Sequence, residues 1–133
     1  REEKEILATA MELIASLGLA EVAAMPVAGL PIGTLKRVEL ARALAGKPKL
    51  LLLDEPAGGL NHEEVDHLAE LIGAIRDQRQ VTVLLVEHHM NLVMQVSDRV
   101  VALDFGRKIA DGTTAQVQKD KTVIEAYLGD GGS

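Results

Sequence analysis

Four leucines in a row, Leu50 to Leu53, run straight into Asp54 and Glu55, and Pro56 ends the run. A short unbroken apolar run is the pattern of a strand buried on both faces, whereas a strand with one wet face alternates. Proline cannot donate to a ladder, so pairing stops at Pro56. The two acids thereby fall at the carboxyl end of a core strand, the edge of an open α/β sheet at which ligands bind. A core strand that ends in a solvated turn reads the same locally, so the rest of the chain must discriminate.

Residues 2–17 place Ile6, Leu7, Ala10, Leu13, Ile14 and Leu17 at the spacing of one helical face, with Gly18 as the stop. An Ala-, Pro- and Gly-rich connection, residues 20–33, leads to a helix predicted over Thr34 to Ala45 and closed by Gly46 and Pro48. The strand Lys49 to Leu53 follows, then a helix from His62 to Gln78 and a second apolar strand, Val81 to Val86. Two strands joined by a helix of that length predict a right-handed βαβ unit with parallel strands. A helix over Met90 to Val96 precedes a predicted antiparallel hairpin, Val100 to Leu103 with Lys108 to Ala110, whose turn holds Gly106 where positive φ is needed. Residues 113–128 predict one broken helix or two short ones, and Gly129 to Ser133 are expected to fray.

Composition removes several function classes. A formal charge of −6 argues against a nucleic-acid binder, which needs a basic face. Without cysteine there is neither a disulfide framework nor a thiolate metal site. No apolar run approaches the roughly 18 residues of a membrane span, so any membrane role is expected to come through a partner rather than by direct insertion. The chain begins with Arg1 rather than Met, which suggests a piece of a longer protein.

Parallel pairing of the two core strands would set their carboxyl ends side by side, one delivering Asp54 and Glu55, the other Glu87, His88 and His89. There Asp54 suits a hard cation such as Mg²⁺ held largely through water. Glu55 suits orienting or deprotonating a water, and His88 suits sensing a phosphoryl group; a set of solvated loop residues is the plainer alternative. A second constellation lies at the helix entry Leu30 to Arg37. Gly33 just before a helix start at Thr34 would let a phosphate approach unpaired N–H groups. Lys36 and Arg37 in the first turn would oppose the helix dipole by about 0.3–1 kcal/mol each, a local misfit expected where an anion docks; solvated surface cations account for it almost as well.

Three other patterns fail. The two histidines of His62-Glu63-Glu64-Val65-Asp66-His67 are five apart, about 140° around a helix, and do not chelate from one face. Asp104-Phe105-Gly106 lacks the His-Arg-Asp loop that a kinase places before it. His88 and His89, adjacent at a strand end, diverge.

Taken in order, these residues resemble the second half of an ABC-type ATPase domain, over nearly the whole chain and most specifically over residues 30–112. Leu30 to Arg37 resembles the family signature, Leu50 to Asp54 Walker B with Glu55 at the catalytic glutamate, Ala57-Gly58-Gly59-Leu60-Asn61 the D-loop, and His88 the switch histidine. Leu-Pro-x-Gly, Gly-Leu-Asn and Val86-Glu87-His88-His89-Met90 are similar to the branched-chain amino-acid importer branch, as are Ser97 to Val100 and Val123 to Gly129. The resemblance implies an α/β fold, the carboxyl-terminal half of a P-loop NTPase-type domain. Parallel core strands with flanking helices and a piece of the helical subdomain would divide it into residues 1–33 (signature subdomain) and 34–133 (ATPase core).

It further implies ATP and Mg²⁺ as cofactors, with Asp54 serving the metal, Glu55 polarising water and His88 contacting the γ-phosphate. Gly33, Thr34 and Arg37 would face the nucleotide of a second ATPase subunit, and Asn61 would couple the two sites. Transmembrane permease subunits would hold the protein on the cytoplasmic face of the inner membrane, with no nucleic acid as partner. The departures are specific: Pro31 stands at the usual signature serine, Ile32 at the following glycine, Thr34 at the glutamine and Asn61 at the D-loop aspartate. The chain contains no Gly-x-x-x-x-Gly-Lys-[Ser/Thr], whose backbone and lysine cradle the β- and γ-phosphates. By itself it is therefore expected to be inactive. The competing readings are an ABC ATPase serving another substrate or DNA repair, and a non-catalytic half-domain that binds a partner. The repair version would need long coiled-coil insertions and a basic face, and neither is present.

Overall fold

The computed structural model describes residues 2–128, so the expected fraying of Gly129 to Ser133 lies outside the described residues. The chain divides into two compact units, Arg1–Glu87 and His88–Ser133.

The first unit contains α1 (Glu2–Ser16), a short 3₁₀ turn (Ala20–Val22), α2 (Ile32–Ala45), β1 (Leu50–Asp54), α3 (His62–Arg79) and β2 (Thr82–Val86). Strands β1 and β2 pair in parallel, Leu50 opposite Thr82 through Asp54 opposite Val86, with α3 as the crossover. Helix α1 ends as its sequence predicts. Gly18 takes φ +69, its N–H reaches Ala15 O at 3.2 Å, and Leu19 N–H reaches back to Ile14 O at 2.8 Å. This is the paired closure that a left-handed glycine permits. Arg79 then ties the far end of α3 to α1, donating to Glu12 Oε1 at 2.7 Å and Ser16 Oγ at 2.9 Å.

Two expectations about burial need correction. The stripe on α1 is buried only toward its end, at Leu13 and Leu17, while Ile6 and Leu7 stay exposed. Strand β1 is covered on one face only: Leu51 is 3% exposed and Leu52 65%. On β2 the alternation repeats, with Leu84 and Val86 outward. In register, Leu50, Leu52, Leu84 and Val86 form one apolar sheet face open to solvent. The unbroken leucine run is thus a two-sided strand pattern with one side uncovered among the described residues.

The second unit contains α4 (Met90–Val96), β3 (Val100–Asp104), β4 (Arg107–Gly112), α5 (Thr114–Lys119), α6 (Lys121–Val123) and a wide π turn (Ile124–Leu128). The hairpin has the expected two-residue turn, and not only Gly106 but also Phe105 has positive φ (+79 and +49), the signature of a type I′ turn. A bulge between Ala102 and Leu103 puts one extra residue on β4. Behind the hairpin, Ala102, Val117 and Val123 form a small core with Met94, Val100, Ile109 and Tyr127 against it. Tyr127 closes the unit by donating its hydroxyl proton to Leu103 O. The tail helix breaks at Asp120, which is extended (φ −68, ψ 124) and whose Oδ1 accepts from Thr122 and Val123 N–H. A residue that caps the next helix in this way cannot continue the previous one.

Candidate functional site

At the carboxyl end of β1 the parallel register continues one step past the strand: Glu55 N–H donates to Val86 O at 2.7 Å. The chain then turns sharply. Glu55 has φ +49, a left-handed conformation that is uncommon for a residue with a β-carbon. Gly58 N–H closes the turn on Glu55 O at 3.2 Å, and Leu60 N–H closes the next on Ala57 O at 3.1 Å. Strain of this kind, about 1–3 kcal/mol, persists where the surroundings impose it and clusters at functional sites. Glu87, which the sequence groups with the sheet edge, accepts from Ala57 N–H through Oε2 at 3.0 Å. The end of β2 therefore pins the loop that follows Glu55. Asp54 and Glu55 themselves stay exposed, while Pro56 and Ala57 beneath them are buried.

The helix carrying the second constellation begins earlier than its sequence suggests. Pro31, at φ −57 and ψ 152, precedes the first turn, and Leu35 N–H to Pro31 O (3.0 Å) is the first helical bond. Gly33 is thus inside the first turn rather than before it, and Thr34 is the third helical residue. Lys36 and Arg37 fall in the second turn, where the dipole penalty argued from sequence has largely decayed. Proline suits the start because a helix leaves its first N–H groups unpaired anyway. The Arg37 guanidinium is drawn the other way, donating from Nη1 to Gly18 O at 3.4 Å.

A cleft of about 450 Å³ opens beside this turn, lined among others by Gly33, Thr34, Arg37, Leu60 and Glu64. The three residues expected to face a second subunit's nucleotide, Gly33, Thr34 and Arg37, share that cleft; Asn61, Asp54 and Glu55 do not line it. Asn61 caps α3: its Oδ1 accepts from Glu64 N–H at 2.8 Å, and Glu64 Oε1 accepts from Asn61 N–H at 3.1 Å. The sequence announces this capping box as Asn-x-x-Glu, a signal the sequence reading left unused. Glu64 also reaches α2, where its Oε2 lies 2.7 Å from the position a β-carbon on Gly33 would take. Reciprocally, Ile32 Cδ1 lies 2.8 Å from the β-carbon position of Gly59, a left-handed glycine at φ +80. His88 opens the second unit, immediately before the His89 cap position of α4.

The donor chemistry suits Mg²⁺ with ATP. Among the described residues no group of three or more His, Asp or Glu is placed to hold a metal. Mg²⁺ does not need one, because it commonly takes one or two carboxylates and completes its shell with water and substrate phosphates. Asp54 is an exposed carboxylate at the end of β1. Gly33 brings the first turn of α2 to the cleft, with Glu64 Oε2 in the space its β-carbon would take.

The family described as ABC transporter matches residues 1–58, and the family described as branched-chain amino acid ATP-binding cassette transporter matches residues 107–133. The chain is 42% identical over 130 residues to the high-affinity branched-chain amino acid transport ATP-binding protein BraF of Pseudomonas aeruginosa, covering 98% of this chain and 51% of that one. Identity to the corresponding protein LivG of Escherichia coli K12 is 41% over 130 residues, with the same coverage. A solved ATP-binding cassette of an ABC transporter, in its ADP conformation, superposes with a TM-score of 0.81 at 26% identity over 95% of this chain and 51% of that structure. The chain spans about half the length of the relatives it matches.

Proposed function

The chain belongs to the ABC transporter family of ATP-binding proteins, and on that premise we propose that it is part of an ATP-hydrolysing subunit that powers import of branched-chain amino acids. Residues 1–33 belong to the helical signature subdomain in this reading and residues 34–133 to the ATPase core. The observation that carries the ATPase reading is the delivery of Asp54 and Glu55 by a parallel strand, covered on one face, into a turn with Glu55 in the left-handed region. The amino-acid reading is supported by BraF and LivG, which are named for that transport.

Mg²⁺-ATP, when bound, supplies the phosphoryl group and the charge neutralisation on which its transfer depends. Asp54 would hold the Mg²⁺, largely through water. Glu55, pointed by its left-handed backbone, orients the attacking water and takes its proton; His88 meets the terminal phosphate. Gly33 and Thr34 present N–H groups to the nucleotide of a second such subunit, with Arg37 as a nearby cation, and Asn61 couples the paired sites. Because Pro31 has no hydroxyl, contact at its position falls to backbone N–H groups of the turn. No helix among the described residues is long and apolar enough to cross a membrane. The protein sits peripherally on the cytoplasmic face of the inner membrane through its permease subunits.

The test is Glu55→Gln in a complete domain, made by joining this chain to the Walker A part of the Pseudomonas aeruginosa relative. Loss of a general base costs roughly 10²–10⁴-fold in turnover, while ATP binding is retained. Turnover within about tenfold of the parent would remove Glu55 from the reaction.

A further inference from the structure

The cleft beside the first turn of α2 extends well past that turn. It lies wholly within the first unit, between one face of α2 and one face of α3. Gly33, Lys36 and Arg37 recur at i, i+3 and i+4 on α2, and Glu64, Leu68 and Leu71 at i, i+4 and i+7 on α3, so each set is a single helical face. The apolar part of the lining is well covered, with Leu17 3% and Leu68 5% exposed and Leu60 and Leu71 half-buried. The walls carry both signs: Lys36 and Arg37 come from α2, Glu64 and Glu70 from α3. These charges do not close on one another. Arg37 turns to Gly18 O and Glu64 to the Asn61 amide, while Lys36 and Glu70 make no hydrogen bond or ion pair among the described residues.

Inside such a cleft a lone anion is opposed by the carboxylates of α3, and a lone cation by Lys36 and Arg37. A ligand with one charge of each sign on an apolar body meets a complementary group at every point. The volume, about 450 Å³, falls in the range of small-molecule sites, roughly 300–1,000 Å³. We propose that the cleft binds a free α-amino acid with an apolar side chain. Its carboxylate lies toward Lys36 and the amino-terminal end of α2, where the helix dipole favours an anion. Its ammonium lies toward Glu70, and its side chain covers Leu17, Leu68 and Leu71. An amino acid seated there lies against Gly33 and Thr34, which share the lining. Accumulated imported amino acid would thereby slow hydrolysis, a consequence that rests on the ATPase reading; the binding site itself does not.

The test titrates the complete domain, joined as above, with L-leucine in a calorimeter, and thermal unfolding with and without ligand shows that the domain is folded. Saturable binding at one site per chain is expected. Two analogues divide the recognition: 4-methylpentanoate lacks the ammonium and 3-methylbutylamine lacks the carboxylate. Each should bind about tenfold or more weakly, the scale of one lost charged hydrogen bond. Lys36→Gln should weaken L-leucine and 4-methylpentanoate and leave 3-methylbutylamine no weaker, whereas Glu70→Gln should do the reverse. A merely structural effect would weaken all three alike. In steady-state assays L-leucine should lower ATP turnover, and Glu70→Gln should keep the basal rate and lose that inhibition. The site is overturned if a folded domain gives no heat with L-leucine, if both analogues bind as tightly as L-leucine, or if the two variants fail to divide them. L-leucine binding with turnover unchanged would overturn the feedback and uphold the site. A domain that binds L-leucine with this selectivity and hydrolyses no ATP would sink the ATPase reading alone.

Discussion

Replacing Asn61 tests the structure at the point where a capping role and a coupling role fall on one side chain. In Asn61→Ala the acceptor for Glu64 N–H is lost (2.8 Å in the parent), and with it one of the orphan donors of α3 returns to water. Loss of such a cap costs about 0.5–2 kcal/mol, typically about 1. Val65, the next residue, is 1% exposed. If the first turn opened far enough to release it, a further ~1.5–3 kcal/mol of burial would go, so the cost is bounded near about 5 kcal/mol. Asn61→Asp keeps the acceptor and adds a charge that the helix N-terminus favours by about 0.3–1 kcal/mol. Glu63 and the Glu64 carboxylate held on the Asn61 amide repel that charge, so the net change should be near zero. Urea titration of the complete domain, followed by circular dichroism, separates these. A cost near 1 kcal/mol for Ala with Asp close to the parent is expected. An Ala variant as stable as the parent would show that the cap is not formed and that the α3 entry is held by something else.

Three more outcomes follow from the same geometry. The isolated 133-residue chain, with Leu52 and Leu84 on an open sheet face, should self-associate in light scattering and show no ATPase activity; a monodisperse active monomer would refute this. Leu92, fully buried, should cost about 2–5 kcal/mol when changed to Ala, measured by denaturant unfolding. The hydrogen bond from Arg99, at 2.8 Å, holds the Asp111 carboxyl below the usual carboxylate range. Its folded pKa is depressed, so its contribution is present above the ordinary carboxylate value and fades as pH falls through the lowered one. Arg99→Ala should move the Asp111 titration, followed by carboxyl NMR, back upward.

Much of the chain was legible from residue pattern. Parallel pairing followed from two apolar runs joined by a helix, and the carboxylate pair landed at the strand end because Pro56 could only stop the ladder there. Helix α4 and the hairpin fell where periodicity and Gly106 put them. Helix α2 starts two residues before the start its pattern predicts, because Ile32 and Gly33 read as connection; Pro31 is the readable signal, since proline can precede a first turn without losing a needed donor. The Asn-x-x-Glu capping box was likewise present in the residues.

Other features are absent from one-dimensional pattern by their nature. Nothing local distinguishes Glu55 in a left-handed turn from Glu55 in an extended one; the conformation is imposed by Val86 O and Glu87, some thirty residues away. The seating of Ile32 on Gly59 and of Glu64 on Gly33 also joins residues that are distant in the chain, through contact distances that no spacing encodes. The leucine run determined that a strand would form and where it would end, because backbone pairing and proline chemistry act locally. Which of its faces is covered, and how its terminal acids are held, was decided only in three dimensions, since burial and strain depend on what packs against a residue rather than on its neighbours in sequence.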